Sequence, residues 1–120
     1  MDRRKKTGKR GESIAVEYLI TQGYSIIERN WRCAIGEVDI VAQQIDMVVF
    51  VEVRTRHGQR FGRAAESLTP TKQQRLISLA ETYLQEHDEH ANSAWRIDLV
   101  AIQLGRGSHY IDHVENAVGW

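Results

Sequence analysis

At 120 residues, with 42% hydrophobic and 27% charged side chains, the chain has the composition of one ordinary soluble domain. No apolar run approaches the ~18 residues of a membrane-spanning helix, and no apolar segment follows the basic start as a secretory leader requires. The single cysteine, Cys33, excludes an internal disulfide and a multi-cysteine zinc site, and points to a reducing cytoplasm.

Residues 1–10 read as a flexible basic tail and 11–120 as a single domain. The spacing of Ile14, Ala15, Tyr18 and Leu19 predicts a helix over 11–22, stopped by Gly23. Tyr24 to Trp31 reads as a short strand and Glu37 to Ala42 as a second. Met47 to Thr55, rich in Val and Phe, is the strongest strand in the chain. A Gly- and Arg-containing loop over 56–68 follows. Thr69-Pro70 then supplies an N-cap and a first-turn proline for a helix to about Glu86, with an apolar face at Leu76, Leu79, Ala80, Tyr83 and Leu84. Residues 87–94 read as polar linker. Trp95 to Leu104 and His109 to Val114 read as strands joined by a Gly105-Arg106-Gly107 turn. The order α-β-β-β-α-β-β implies an α/β sandwich, a mixed sheet with helices packed on it. No Gly-rich phosphate loop follows a strand, so a nucleotide cofactor is not expected.

The net charge is zero but unevenly spread. Residues 1–10 carry six basic side chains, Lys9 and Arg10 among them, and residues 54–75 carry six more. From 81 onward seven acids face two arginines. Lys9, Arg10, Arg56, Arg60, Arg63 and Arg75 are therefore candidates for holding a nucleic-acid backbone. A solubilising tail and an ordinary charged loop are the plainer reading.

The segment 36–41, Gly-Glu-Val-Asp-Ile-Val, precedes Phe50-Val51-Glu52-Val53-Arg54. Alternation puts Glu37, Asp39 and Val41 on one face, and Val48, Phe50, Glu52 and Arg54 on one face of the next strand. A two-residue turn at Ile45-Asp46 sets Asp39 directly across from Glu52. A four-residue loop keeps the same faces together. Two carboxylates so placed repel each other, and the apolar surroundings of Glu52 add a desolvation cost. A divalent cation, Mg²⁺ or Mn²⁺, offsets both, since Mg²⁺ binds through one or two carboxylates and keeps positions for water and phosphate. Arg54, pointing the same way, is placed to hold a phosphate. A solvated Glu52–Arg54 pair is an equal reading of the hairpin alone. Glu12, in the opening turn of the first helix, is either a dipole-matched surface acid or a third ligand.

Taken together, these segments resemble the PD-(D/E)xK nuclease superfamily: a helix Glu, a strand Asp, then Glu-x-Arg on the next strand. The chain as a whole is similar to the YraN family of bacterial proteins, which resembles archaeal Holliday-junction resolvases in arrangement. The likeness is carried by Gly11-Glu12 with Ala15 and Tyr18-Leu19, Gly36-Glu37-Val38-Asp39, Phe50-Val51-Glu52-Val53-Arg54, Thr69-Pro70 with Lys72-Gln73, and Arg96-Ile97-Asp98. It covers most of residues 8–117 and implies a restriction-endonuclease-like fold. It also implies metal ligation by Glu12, Asp39 and Glu52, with Arg54 at the superfamily's catalytic lysine position. Arginine stays charged at any working pH and cannot serve as a base. Lys72, on the inward stripe of the second helix, either supplies the missing ammonium or snorkels at the helix start.

The expected activity is metal-dependent hydrolysis of phosphodiester bonds in DNA, including branched DNA. The alternative is a non-catalytic nucleic-acid-binding module that keeps the fold. A two-fold dimer suits a junction, although no sequence feature demands one. The five histidines are scattered, and His109 and His113 lack an obvious third ligand. Trp31, Trp95 and Trp120 have the chemistry to stack on bases, but Trp95 reads as core. Asp98 is expected to pair with Arg96 or to support the site from a neighbouring strand.

Overall fold

The computed structural model describes residues 3–57 and 68–118. The elements follow the expected order: α1 (Arg3–Thr21), β1 (Ser25–Cys33), β2 (Gly36–Gln44), β3 (Met47–His57), α2 (Pro70–Glu86), β4 (Ala94–Leu104) and β5 (His109–Val114). One short 3-10 turn, Asp88–His90, interrupts the linker before β4. The strands lie in chain order across one five-stranded mixed sheet. Only β3 and β4 run parallel; the other neighbours are antiparallel. A parallel pair needs a long crossover, which α2 provides.

The sheet is apolar on both faces, and each face is covered by one helix. Leu76, Leu79, Ala80 and Tyr83 of α2 pack on Val41, Val48, Phe50, Ile97 and Leu99. Ala15 and Leu19 of α1 pack on the alternate residues Ile40, Val49, Val51, Val100 and Ile102. Alternation along β3 thus sends its even residues, Glu52 among them, toward α2. Trp31 is buried edge-on to Tyr83, and Trp95 packs edge-on to Phe50, so both are core residues. Among the described residues no helix is long and apolar enough to cross a membrane.

Helix α1 starts at Arg3 rather than Gly11, so residues 3–10, expected as a flexible tail, form its first turns. Arg and Lys are good helix formers, and no proline or cap separates them from the apolar stripe. Gly11, read as the beginning, lies inside the helix because α1 crosses β3 there. A Cβ at Gly11 would collide with the side chain of Thr55. Strand β3 runs to His57, beyond the expected end, because its parallel ladder with β4 continues to His57↔Leu104. The loop carrying Arg60 and Arg63 lies outside the described residues.

The β2–β3 hairpin has the two-residue turn read from the sequence, with Gln44 paired to Met47 and Ile40 to Val51. Ile45 occupies the left-handed region, at φ 55, and is 87% exposed. A β-branched residue is poorly suited to that conformation, whereas Asn tolerates it. Ile45→Asn is therefore expected to stabilise the chain by about 1 kcal/mol, read as a melting temperature raised by roughly 3–5 °C. Gly11→Ala is expected to cost about 1–3 kcal/mol in denaturant unfolding, because α1 must lift from β3.

Candidate active site

The β2–β3 ladder ends at Ile40↔Val51, and one step beyond it Asp39 and Glu52 face each other. There the strands part. The backbone N–H of Val53 donates to Asp39 Oδ2 at 2.8 Å, so a side chain takes the place of a ladder carbonyl. Simple alternation also fails at this point. Val38 packs in the α2-side cluster together with Val41, while Ile40 between them packs toward α1. Glu37, Asp39 and Val41 keep the expected common face, and Val38 is the residue that joins them there, lining the recess under α2 beside Asp39. A strand released from its ladder is no longer held to the two-residue period of the pleat.

That recess is small, about 10 Å³, and is bounded by the two carboxyl-bearing residues with Phe50, Leu76 and Ile97. The Asp39 and Glu52 carboxyl groups are within hydrogen-bonding reach of each other. Burial, then the bond to Glu52 and its negative charge, push Asp39 up from an ordinary 3.8 to about 8; the Val53 N–H and the Lys72 charge oppose this only in part. Without a cation Asp39 keeps its proton near neutral pH. Lys72 brings a counter-charge, its Nζ 3.7 Å from Glu52 Oε2. It is held there by the start of α2, where the Thr69 hydroxyl accepts the Lys72 backbone N–H at 3.2 Å and Pro70 opens the helix. Lys72 therefore ion-pairs at the site rather than only snorkelling. Gln73 instead donates to the Leu68 carbonyl and braces the loop before α2.

Two further acids approach from the β1 side. Burial and the charges of Asp39 and Glu37 raise the pKa of Glu12, whereas a bond from Asn30 and the charge of Arg29 act against the rise. Glu37 borders the recess and pairs with Arg32 at 3.4 Å. Among the described residues no three His, Cys, Asp or Glu side chains gather as a ready metal-binding group. What the site offers is a pair. Two carboxyl groups near enough for Glu52 to raise the pKa of Asp39 fit a hard divalent cation, which takes one or two carboxylates and completes its shell with water and phosphate. Glu12 adds negative field to that pair. Arg54 follows Glu52 on the same face of β3 and is half-buried. Of the expected backbone-binding residues, Lys9 and Arg10 are exposed on α1, Arg56 near the end of β3 and Arg75 on α2.

A second polar cluster lies on the opposite face of the sheet. Asp98 is fully buried and accepts from Arg96 Nε at 2.8 Å and from the Asn116 backbone N–H at 3.0 Å. His113 Nε2 lies 2.8 Å from Asp98, and His113 Nδ1 lies 2.9 Å from the Tyr18 hydroxyl. Arg96 also donates to the Tyr24 hydroxyl at 2.7 Å. Burial alone raises the Asp98 pKa, but its bonds to His113, Arg96 and Asn116 outweigh that and hold it below the usual carboxylate range. The expected Arg96–Asp98 pair is present; His113, Tyr18 and Tyr24 are partners that sequence reading missed. The signal lay in the β4–β5 register, since His113 opposite Val100 stands diagonal to Asp98.

A family model described as Uncharacterised protein family UPF0102 matches residues 11–102. A UPF0102 protein of Roseiflexus castenholzii is 48% identical over 118 residues, covering 97% of this chain and 95% of its own length. One of Chloroflexus aurantiacus is 50% identical with the same coverage, and one of Rhodococcus opacus is 45% identical over 92% of this chain and 93% of its own.

Metal-free, Asp39 keeps its proton to about pH 8 when folded but only to about pH 4 when unfolded. Folding takes up a proton in between, so this pair makes stability fall as the pH rises from about 4 to about 8. Asp98 acts the other way: its contribution is present above its unfolded value and is lost as the pH falls through its lowered one. Asp39→Asn, which keeps an acceptor for the Val53 N–H, is expected to stabilise the chain by on the order of 2 kcal/mol at about pH 8.5 and little at about pH 5. Thermal melts at the two pH values check this. Mn²⁺ should raise the melting temperature of the wild-type chain and not that of the variant.

Proposed function

The chain belongs to Uncharacterised protein family UPF0102, the YraN family, and we propose that it is a divalent-metal-dependent endonuclease hydrolysing phosphodiester bonds in DNA, branched DNA included. This reading rests on the Asp39–Glu52 pair. Two carboxyl groups meet where the strand pair parts, and burial together with Glu52 raises the pKa of Asp39, as expected of a pair poised for a cation. Asp39 and Glu52 would hold Mg²⁺ or Mn²⁺. A bound divalent cation supplies positive charge to phosphoryl oxygens and makes water more acidic.

The chain's own groups do the rest. The Val53 N–H fixes one Asp39 oxygen and so orients the carboxylate. Lys72, 3.7 Å from Glu52, brings an ammonium to the point where charge accumulates as the phosphodiester is attacked. It supplies the ammonium that the superfamily places at position 54, while Arg54 contributes fixed positive charge along the same face of β3. Glu12, with its pKa raised, adds a second carboxyl at the edge of the pair. The setting proposed for this chemistry is the reducing cytoplasm, which agrees with Cys33 as the only cysteine.

Arginine in place of the superfamily's lysine favours a second reading, a DNA-binding module without turnover. Incubation of linear and four-way-junction DNA with purified protein and Mn²⁺ separates the two. Nuclease function predicts cleavage that falls at least ~100-fold in Asp39→Asn and Glu52→Gln, and about 10–100-fold in Lys72→Ala with partial recovery in Lys72→Arg. Salt-sensitive binding without cleavage, unchanged in Glu52→Gln, would establish the module instead.

A further inference from the structure

A groove opens on the β1 side of the acid pair, between the first turns of α1 and the β1–β2 hairpin. Its walls carry Lys9, Glu12, Arg29, Asn30, Arg32 and Glu37. At about 670 Å³ it is far larger than the recess beside Asp39, and of the two only the groove admits a polymer strand. Glu37 lines both.

The backbone explains why two arginines share this groove. Residues 29 and 32 are three apart, and in a regular strand they fall on opposite faces. Asn30 between them lies in the left-handed region at φ 54, which breaks the period of β1 and brings Arg29, Asn30 and Arg32 to one surface. Asn tolerates that conformation better than most residues, and its side chain bonds Glu12. The result is an arc of three exposed cations from two elements, set around two acids that lead to the Asp39–Glu52 pair. Arg32 is 77% exposed in its contact with Glu37, and such exposed pairs are weak enough for a phosphate to replace the carboxylate.

We propose that this groove is the track for the DNA backbone on one side of the bond to be cut, with Arg29, Arg32 and Lys9 contacting successive phosphates. The proposal rests on the nuclease reading of the Asp39–Glu52 pair. The acids of the groove floor repel phosphate from all but the cation positions, and so set the strand in register with the pair. Contacts of this kind carry no base information, so the groove reads the backbone and not the sequence.

Fluorescence anisotropy of labelled DNA across a salt series tests this, in full-length Glu52→Gln protein so that binding is measured without cleavage. Each phosphate contact contributes about −0.9 to the slope of log K against log salt. Arg29→Ala/Arg32→Ala should weaken binding at least ~10-fold at low salt and reduce the steepness of that slope by about 2, with an unchanged melting temperature. Arg29→Lys/Arg32→Lys should keep most of the slope, and Arg106→Ala, at the distant β4–β5 turn, should leave it unaltered. A slope in the double alanine variant equal to that of its parent overturns the groove and leaves the nuclease reading standing. Absence of salt-dependent DNA binding by the Glu52→Gln parent overturns that reading, and the groove with it.

Discussion

Two carboxyl groups in hydrogen-bonding contact at the end of a strand ladder set the terms for the rest of this molecule. Asp39 and Glu52 meet where β2 and β3 part, under α2 and beside apolar Phe50 and Leu76. Like charges across a strand pair are unfavourable, and burial raises the cost. Three features keep the arrangement in place. The Val53 N–H clamps Asp39, the capped start of α2 delivers Lys72 to Glu52, and well-packed clusters on both sheet faces hold the strands whatever the pair would prefer. The unfavourable pairing is therefore local and the packing that holds it is spread over both sheet faces.

The contrast with Asp98 makes the point sharper. Asp98 is the more deeply buried acid, yet its pKa is held below the usual carboxylate range, because Arg96, His113 and the Asn116 N–H satisfy it completely. Asp39 has one backbone donor and a distant ammonium against a neighbouring carboxyl, and its pKa rises. Both acids lie on the same sheet, on opposite faces. One is finished by the protein and ties α1 to β5 through Tyr18 and the segment after α1 to β4 through Tyr24. The other is opposed by a neighbouring carboxyl. The Asp98 cluster also serves the site indirectly, since α1, which it anchors, carries Glu12 and Lys9 to the groove side of the acid pair.

Much of this was legible in the residues. The element order, the Thr69-Pro70 start of α2 and the common side of Asp39 and Glu52 all follow from local patterns, and all are present, the hairpin taking the two-residue turn of the two that the sequence allowed. The extent of α1 was not legible. Gly11 reads as a boundary by propensity, and only its passage over Thr55 explains a glycine inside the helix. Lys72 was ambiguous for a similar reason: a lysine at a helix start is ordinary until the distance to Glu52 is known.

The sequence by itself determined which side chains share a strand face, because the pleat is a local property: either turn length kept Asp39 and Glu52 on facing rows, and the two-residue turn of the fold sets them opposite. Only the tertiary structure decided where that regularity breaks. The parting of β2 from β3 sends Val38 and Asp39 toward the same recess, and the left-handed Asn30 gathers Arg29 and Arg32 into one groove. Both depend on what packs against each strand, and on backbone angles that residue type permits but does not impose. The acid pair was written in the chain; the raised pKa of Asp39, and the cations around its approach, belong to the fold.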